Sequence, residues 1–443
     1  MIPFGMEARM VSLLRSKRWV LGVVLLALSA HAAHSQAPTP EPPPAAQASA
    51  NFDPLAATEA YLAKLSPEER ARSDAYFEGG YWLQLWGFLY GLGVALLLLA
   101  TRLSARMRDL ARRISRRGPL QTILYWVQYL LVTTLLGFPL AVYQGYFREH
   151  QYGLATQTFG PWLVDQLKGL AVGLVMGALL LVPLYGVIRR LPRSWWIWGA
   201  AVMIVFLMFG ALITPVYINP IFNKYTPLAD PEVRDPILLL ARANGIPARE
   251  VWEMDASRQS KRISANVSGF LGTERITLND NLLQRCSLPE IEAVMGHEMG
   301  HYVLNHVYEL ILELGLVIVA GFAFLRWGFA WAERRWGARW GISGIGDLAA
   351  LPLVVAVFSV FLFLMTPVVN TVIRINEVEA DIFGLNASRE PDGFAEVSLK
   401  LGEYRKLAPG PLEEAIFFDH PSGRNRILMA MRWKAEHLPP RGD

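Results

Sequence analysis

Long apolar runs recur along this chain, at about 82–101, 121–144, 166–188, 195–216, 310–331 and 349–372. Each is long enough to cross a bilayer core of about 30 Å as a helix. Inside lipid every backbone N–H and C=O has to be satisfied within the protein, so runs of this kind commit the chain to membrane helices. Composition agrees. The chain is 53% hydrophobic and 18% charged, against about 45–50% and about 25% in soluble domains. Tyr81, Trp82, Tyr125, Trp126, Trp195 and Trp196 gather near the ends of the runs, as expected for interfacial belts. The net charge of +4 is small. Its Arg residues stand beside apolar segments, which makes them topology signals and not a nucleic-acid surface. Cys286 is the single cysteine, so an intrachain disulfide and a cysteine-rich zinc site are both excluded.

Residues 1–37 read as a secretory signal or a first transmembrane helix. Arg9, Arg15, Lys17 and Arg18 precede an apolar core at Trp19–Ala30, and Ala30-His31-Ala32 or Ser35-Gln36-Ala37 fits a cleavage site. Residues 38–80 give a Pro/Ala-rich linker and an extramembrane helix, 81–217 four transmembrane helices, 218–306 a polar part, 307–372 two further spans, and 373–443 a polar C-terminal part. The loops 102–120, 189–194 and 332–348 are rich in Arg. With these three on the cytoplasmic side, alternate crossing places 38–80, 145–165, 220–306 and 373–443 on the other. A signal-like N-terminus places residue 38 there independently. The expected location is a bacterial inner membrane, with the polar parts facing the periplasm.

The polar part carries His297-Glu298-Met299-Gly300-His301. It falls in a helical pattern that begins with Ser287 and Glu290 as a capping box and Pro289 in the first turn. At about 3.6 residues per turn, His297 and His301 project from one face and can share a metal ion. Glu298 stands beside the pair, placed to take a proton from a water on that metal. Zinc lowers the pKa of such a water from about 16 to about 7. Gly300 removes a side chain beside the metal, and only eight His occur in the chain. A catalytic zinc wants three protein ligands and an open position. The best source of the third is Arg374-Ile375-Asn376-Glu377-Val378-Glu379-Ala380-Asp381, directly after the last apolar run. Glu377 and Asp381 share a helix face, while Glu379 lies about 200° round from Glu377. Glu377 is then the ligand, Asp381 an acceptor that orients a ligand His through its other ring N–H, and Arg374 a contact for these carboxylates. His306, five residues beyond His301, is expected to face away from the pair. Glu309 and Glu313 are expected to face a chamber or a polar partner, since lipid-facing acids are costly.

These residues resemble the type I CaaX prenyl endopeptidases and their bacterial relatives, integral-membrane zinc metallopeptidases. His297-Glu298-Met299-Gly300-His301 through Asn305-His306 looks like that family's H-E-x-G-H-x-x-x-N-H. Arg374, Glu377, Ala380 and Asp381 look like its R-x-x-E-x-x-A-D, where the Glu is the third zinc ligand. His420-Pro421 with Arg426 is similar to its H-P…R element, whose His is thought to stabilise the tetrahedral intermediate. Ser264-Ala265-Asn266-Val267-Ser268-Gly269, with Arg275 to Leu283, is similar to its S-N-A…G…R-I-V-L-x-D-x-L-L segment. The stretches 262–270 and 274–279 read as a hairpin around Leu271-Gly272-Thr273. That makes Asn266, Val267 and Ser268 an edge on which a peptide binds as an added strand, or else an ordinary edge strand. Val267-Ser268 and Ile373 depart from the family pattern.

The resemblance implies a mainly α fold. Seven membrane helices, counting the N-terminal one, ring an intramembrane chamber, and a small α+β zincin-like part carries the hairpin. It implies one Zn2+ per chain held by His297, His301 and Glu377, with Glu298 and His420 catalytic and Arg426 supporting or donating to the oxyanion. Partners are a peptide or protein substrate and membrane lipid, with no nucleic acid. The rivals are a catalytically silent zinc-fold chaperone, against which the intact Glu298 speaks, and a transporter, which would show an internal repeat.

Overall fold

In the computed structural model of this chain, which describes residues 51–268 and 275–438, each apolar run sits inside a longer helix. The N-terminal segment 1–37, the linker 38–50 and the turn around Leu271-Gly272-Thr273 lie outside the described residues. The first helices are α1 (Pro54–Leu62), α2 (Pro67–Ala100), α3 (Leu103–Ile114), α4 (Gly118–Gln151), α5 (Phe159–Arg190) and α6 (Trp195–Phe222). The polar part follows with β1 (Tyr225–Pro227), α7 (Pro231–Ala243), β2 (Val251–Met254), β3 (Ala265–Ser268), β4 (Arg275–Asn279), α8 (Asp280–Arg285) and α9 (Leu288–Val303). Two long helices, α10 (His306–Trp340) and α11 (Leu351–Ser388), precede α12 (Pro391–Leu401), α13 (Pro411–Phe417) and α14 (Gly423–His437).

Six helices among the described residues are long and apolar enough to span a membrane. Their ends overrun the apolar runs because capping, and not hydropathy, stops them. Ser66 and Glu69 form a capping box that starts α2 well before its apolar stretch, with Pro67 in the first turn. Gly341 ends α10 in the left-handed region at φ 70°. Lipid takes the place of a protein partner on the outer faces, where Leu135, Val205, Leu316 and Leu364 are exposed. The most apolar window of α6 has none of its residues buried, whereas 44% are buried in the window of the span ending in α11, which makes α11 the central helix.

The Arg-rich stretch 102–120 is mostly helical, not a loop, since α3 buries Ala105, Met107 and Ala111 on one face. The three Arg-rich segments meet at one end of the bundle. Arg102 Nε donates to the Arg339 carbonyl at 2.8 Å, Arg108 Nη1 to Asp347 at 2.6 Å, and Arg189 Nε to the Gly346 carbonyl at 3.2 Å. From that end α11 runs back through the bundle. Glu377 stands 26 residues past Leu351, about 39 Å along a helix rising 1.5 Å per residue. That exceeds the apolar core of a bilayer, about 30 Å.

The polar part is built on one four-stranded sheet, ordered β1-β2-β4-β3. β3 and β4 are antiparallel with Ala265 opposite Leu278 and Ser268 opposite Arg275, and β2 runs parallel to β4. Among the described residues, β3 is therefore an edge strand. Ile276 and Leu278 of β4 are fully buried against Ile291, Met295 and Met299 of α9.

The helix α9 crosses α11 at very short range, and small residues permit it. A Cβ on Gly296 would fall 2.9 Å from the Gly384 carbonyl oxygen, and one on Gly384 would fall 2.7 Å from the His297 nitrogen. One turn along, a Cβ on Gly300 would meet Ala380 Cα at 3.1 Å. Gly300 thus serves the helix crossing, which corrects its expected role of clearing space beside a metal. Overpacking such a contact costs about 1–3 kcal/mol. Gly384→Ala is accordingly expected to lower the melting temperature in detergent and to weaken metal retention. Gly210→Ala, at a position with no atom within 4 Å, should leave both unchanged.

Candidate metal centre and active site

Crossing at that distance, α9 and α11 lay one set of polar residues over another. His297 and His301, one turn apart on α9, bring their Nε2 atoms to 3.1 Å from each other. Glu377 of α11 closes the third side, with Oε2 3.3 Å from His297 Nε2 and Oε1 3.4 Å from His301 Nε2. A tetrahedral ion bound at about 2.0–2.1 Å requires ligand atoms about 3.3–3.4 Å apart, so these separations suit zinc. Glu377 Oε2 is buried with no hydrogen bond of acceptable geometry. A carboxylate oxygen held so, against two imidazole nitrogens, calls for a cation. The donor set of two nitrogens and one oxygen matches catalytic zinc.

Asp381, one turn beyond Glu377, has none of its surface exposed. His297 Nδ1–H donates to its Oδ1 at 2.7 Å, which fixes the tautomer that leaves Nε2 free to ligate. Arg426 of α14 forks onto both Asp381 oxygens, with Nε 2.9 Å from Oδ2. Burial works against a charge on His297, but the Asp381 and Glu377 carboxylates outweigh it and raise its pKa to about 9. Arg426 is thus occupied by Asp381, which corrects the alternative reading of it as a donor to an oxyanion. Arg374 departs further from expectation. Its guanidinium donates to the carbonyls of Glu414 and Phe418 and to the Thr371 hydroxyl, so it anchors α13 to α11 and touches neither Glu377 nor Asp381.

His306 is not turned away. Its Nδ1 lies 2.8 Å from His301 Nδ1, and its Nε2 lies 3.4 Å from Glu379 Oε2. The expectation failed because it continued one helix through residue 306. Asn305 instead takes the left-handed conformation, φ 62°, between α9 and α10, and the chain doubles back to bring His306 beside His301. The Asn before that His was the available signal, since Asn tolerates this conformation best among non-glycine residues. With His301 ligating through Nε2, its Nδ1–H donates to His306 Nδ1, and the His306 proton sits on Nε2 toward Glu379. His306, Glu309 and Glu379 lie close enough together to hold a cation. That proton order occupies the nitrogen such a cation would need. Glu309 thus has polar company, as expected, and Glu313 lies beside Asn376.

Glu298 points into a cavity that it shares with His297, His420 and Arg426. Burial pushes its carboxyl above the usual range, against the pull of His297 and His301. A raised carboxyl pKa is what a general base near neutral pH requires. His420 enters from the loop between α13 and α14. Its Nδ1–H donates to Asp419 at 2.8 Å, and its Nε2 faces Glu377 Oε2 at 3.1 Å. Burial lowers the His420 pKa and the Asp419 contact opposes it. Of the strand residues, Ala265 lines the same cavity together with Ile263 and Ser264, while Asn266, Val267 and Ser268 continue along the free edge of β3.

A helical membrane bundle carrying a His-His-Glu centre with a glutamate beside it defines a membrane metallopeptidase. Comparison with known proteins agrees. Residues 227–434 match the family model described as peptidase family M48, and residues 54–224 match the one described as CAAX prenyl protease N-terminal, five membrane helices. The chain is 31% identical over 387 residues to the uncharacterized metalloprotease YhfN of Bacillus subtilis, covering 86% of this chain and 89% of that protein. It is 31% identical over 182 residues to CAAX prenyl protease 1 of Saccharomyces cerevisiae, covering 41% and 40% of the two. The crystal structure of S. mikatae Ste24p has the same fold, with a TM-score of 0.69 at 21% identity over 83% of this chain and 89% of that one. The chain belongs to peptidase family M48, and it is a multi-pass membrane metalloprotease acting on peptide or protein substrates. The expected mainly α fold, a helical membrane bundle around a chamber with a small sheet, holds.

Orienting carboxylates of this kind affect metal affinity by about 10- to 100-fold. Asp381→Asn is expected to weaken zinc binding by that factor, measured by chelator competition on purified protein.

Proposed function

We propose that this chain is a one-zinc endopeptidase of membrane-associated or envelope proteins. His297, His301 and Glu377 hold the ion, and Glu298 is the general base. Zinc, when bound, supplies the Lewis acidity that polarises a carbonyl and acidifies water. Glu298 takes the water proton and returns it to the leaving amine. His420, fixed through Nδ1 by Asp419, turns Nε2 toward the developing oxyanion, and its doubly protonated form is the donor. Asp381 and Arg426 hold His297 in the ligating tautomer, and the Glu379–His306 pair does the same for His301. The observation that carries this reading is the mutual spacing of three ligand atoms from two helices, 3.1 to 3.4 Å, with a base in the adjoining cavity.

The substrate is read as an extended strand added to the edge of β3 along Asn266, Val267 and Ser268, with main-chain hydrogen bonds supplying affinity. The convergence of the Arg-rich segments at the far end of the bundle supports an inner-membrane orientation with the catalytic part in the periplasm. On that side, prenylated cytosolic proteins of the kind named by the CAAX prenyl protease relatives are out of reach. Damaged or lipid-anchored envelope proteins then become the substrate class.

Glu298→Gln is expected to abolish peptide hydrolysis in detergent while zinc content, read by atomic absorption, stays at one per chain. His420→Ala should lower kcat by about 10²–10³-fold with little change in KM, as for loss of one oxyanion donor. Hydrolysis that persists in the Glu298 variant would remove the proposed base.

A further inference from the structure

Three charged residues fall within the six apolar runs: Lys168, Glu313 and Arg326. Two of them have polar protein neighbours. Lys168 Nζ donates to Asp165 at 3.2 Å, and Glu313 lies beside Asn376. Arg326 has no such neighbour. It stands exposed at the rim of the stripe that α10 buries through Phe322, Leu325 and Phe329. Its guanidinium makes no hydrogen bond or ion pair among the described residues, and it sits 5.8 Å from the centre of the Trp196 ring on α6. α6 and the apolar parts of α2 and α11, which pack on α10, contain no acid. The next acid along α10 is Glu333, seven residues on, or about 10 Å along the helix. Arg106, Arg113, Arg190 and Arg193 are also exposed and unpaired among the described residues, but they lie outside the apolar runs, where water satisfies them. Arg326 lies inside one, and an uncompensated charge facing lipid is costly.

The depth of Arg326 identifies the group that meets it. Trp196 belongs to the first turn of α6, three residues past Arg193, so the guanidinium is level with the membrane surface at the Arg-rich end. Trp198, Trp327 and Trp331, each more than half exposed, flank this level, as aromatic residues do among lipid headgroups. The lipid group at that depth is the phosphodiester, which accepts two parallel N–H bonds from a guanidinium. Every phospholipid carries one, and the surroundings decide which headgroup is held. The segments 102–120, 189–194 and 332–348 contain thirteen Arg and three acids, Asp109, Glu333 and Asp347. Arg108 already takes Asp109 and Asp347. Such a field repels the ammonium of a zwitterionic headgroup and draws an anionic one.

We propose that α6 and α10 hold an anionic phospholipid at this point, with its phosphodiester on Arg326 and its headgroup under Arg193. The bound lipid supplies the counter-charge that the protein does not. It makes this end of the bundle a specific lipid site in addition to a topology signal.

The test strips full-length protein of lipid in detergent and offers it equal amounts of phosphatidylglycerol and phosphatidylcholine with identical acyl chains. Native mass spectrometry reads the lipid that stays bound. The wild type should favour phosphatidylglycerol by about 10- to 100-fold, the range expected for a charge-assisted pair with a second Arg nearby. Arg326→Gln should lower that ratio by about tenfold. Arg326→Lys, a point charge without the fork, should retain part of it. Arg193→Gln, in an exposed loop where folding is not at stake, should lower it by about fivefold. Arg106→Gln removes the same charge from the same end of the bundle, away from the site, and should leave the ratio as in the wild type. A wild-type ratio near one would overturn the proposal. So would a ratio unchanged in Arg193→Gln and Arg326→Gln, or a loss in Arg106→Gln equal to theirs, which would reduce the site to a diffuse field.

Discussion

The candidate site depends on the closeness of one helix crossing. α9 brings two imidazoles and a base, and α11 brings a ligand carboxylate and the acid that orients one imidazole. Neither helix holds a site alone. Gly296, Gly300, Ala380 and Gly384 let the two backbones approach until any larger side chain would strike main-chain atoms. The protein interior is close-packed and yields little, so this contact sets the spacing of the Nε2 and Oε atoms to within a few tenths of an ångström. The buried Asp381–Arg426 pair then ties α14 to the same point.

The membrane part gives this crossing a fixed frame. α11 is a single helix from the Arg-rich end of the bundle to the catalytic end. Its apolar portion is immobilised by neighbouring spans, and its polar portion projects beyond them with Glu377 and Asp381. One continuous helix thus joins the bundle to the site, and Arg374 pins α13, and with it the approach of His420, to the same helix. β3 and the cavity that Ile263, Ser264 and Ala265 line lie beside this construction.

The residue-level chemistry was largely legible in the linear sequence. Helical spacing alone placed His297 beside His301 and Glu377 above Asp381, and hydropathy placed the spans among the described residues. Reading failed where the chain left a regular element or where contacts ran between elements. His306 was misplaced because a left-handed residue at Asn305 broke the projection. Arg374 was misplaced because its acceptors are main-chain carbonyls of a segment 40 and 44 residues away, and carbonyls leave no signature in sequence.

Sequence by itself determined which groups this protein possesses and which of them share a helix face, because periodicity and hydropathy are local. Tertiary structure alone decided which faces meet and at what distance. The turn at Asn305 that delivers His306 to His301 breaks the helical projection, and the close approach of α9 and α11 arises from packing between segments far apart in the chain. Such contacts are fixed by the shape of the assembled interior, and no residue's own type encodes them.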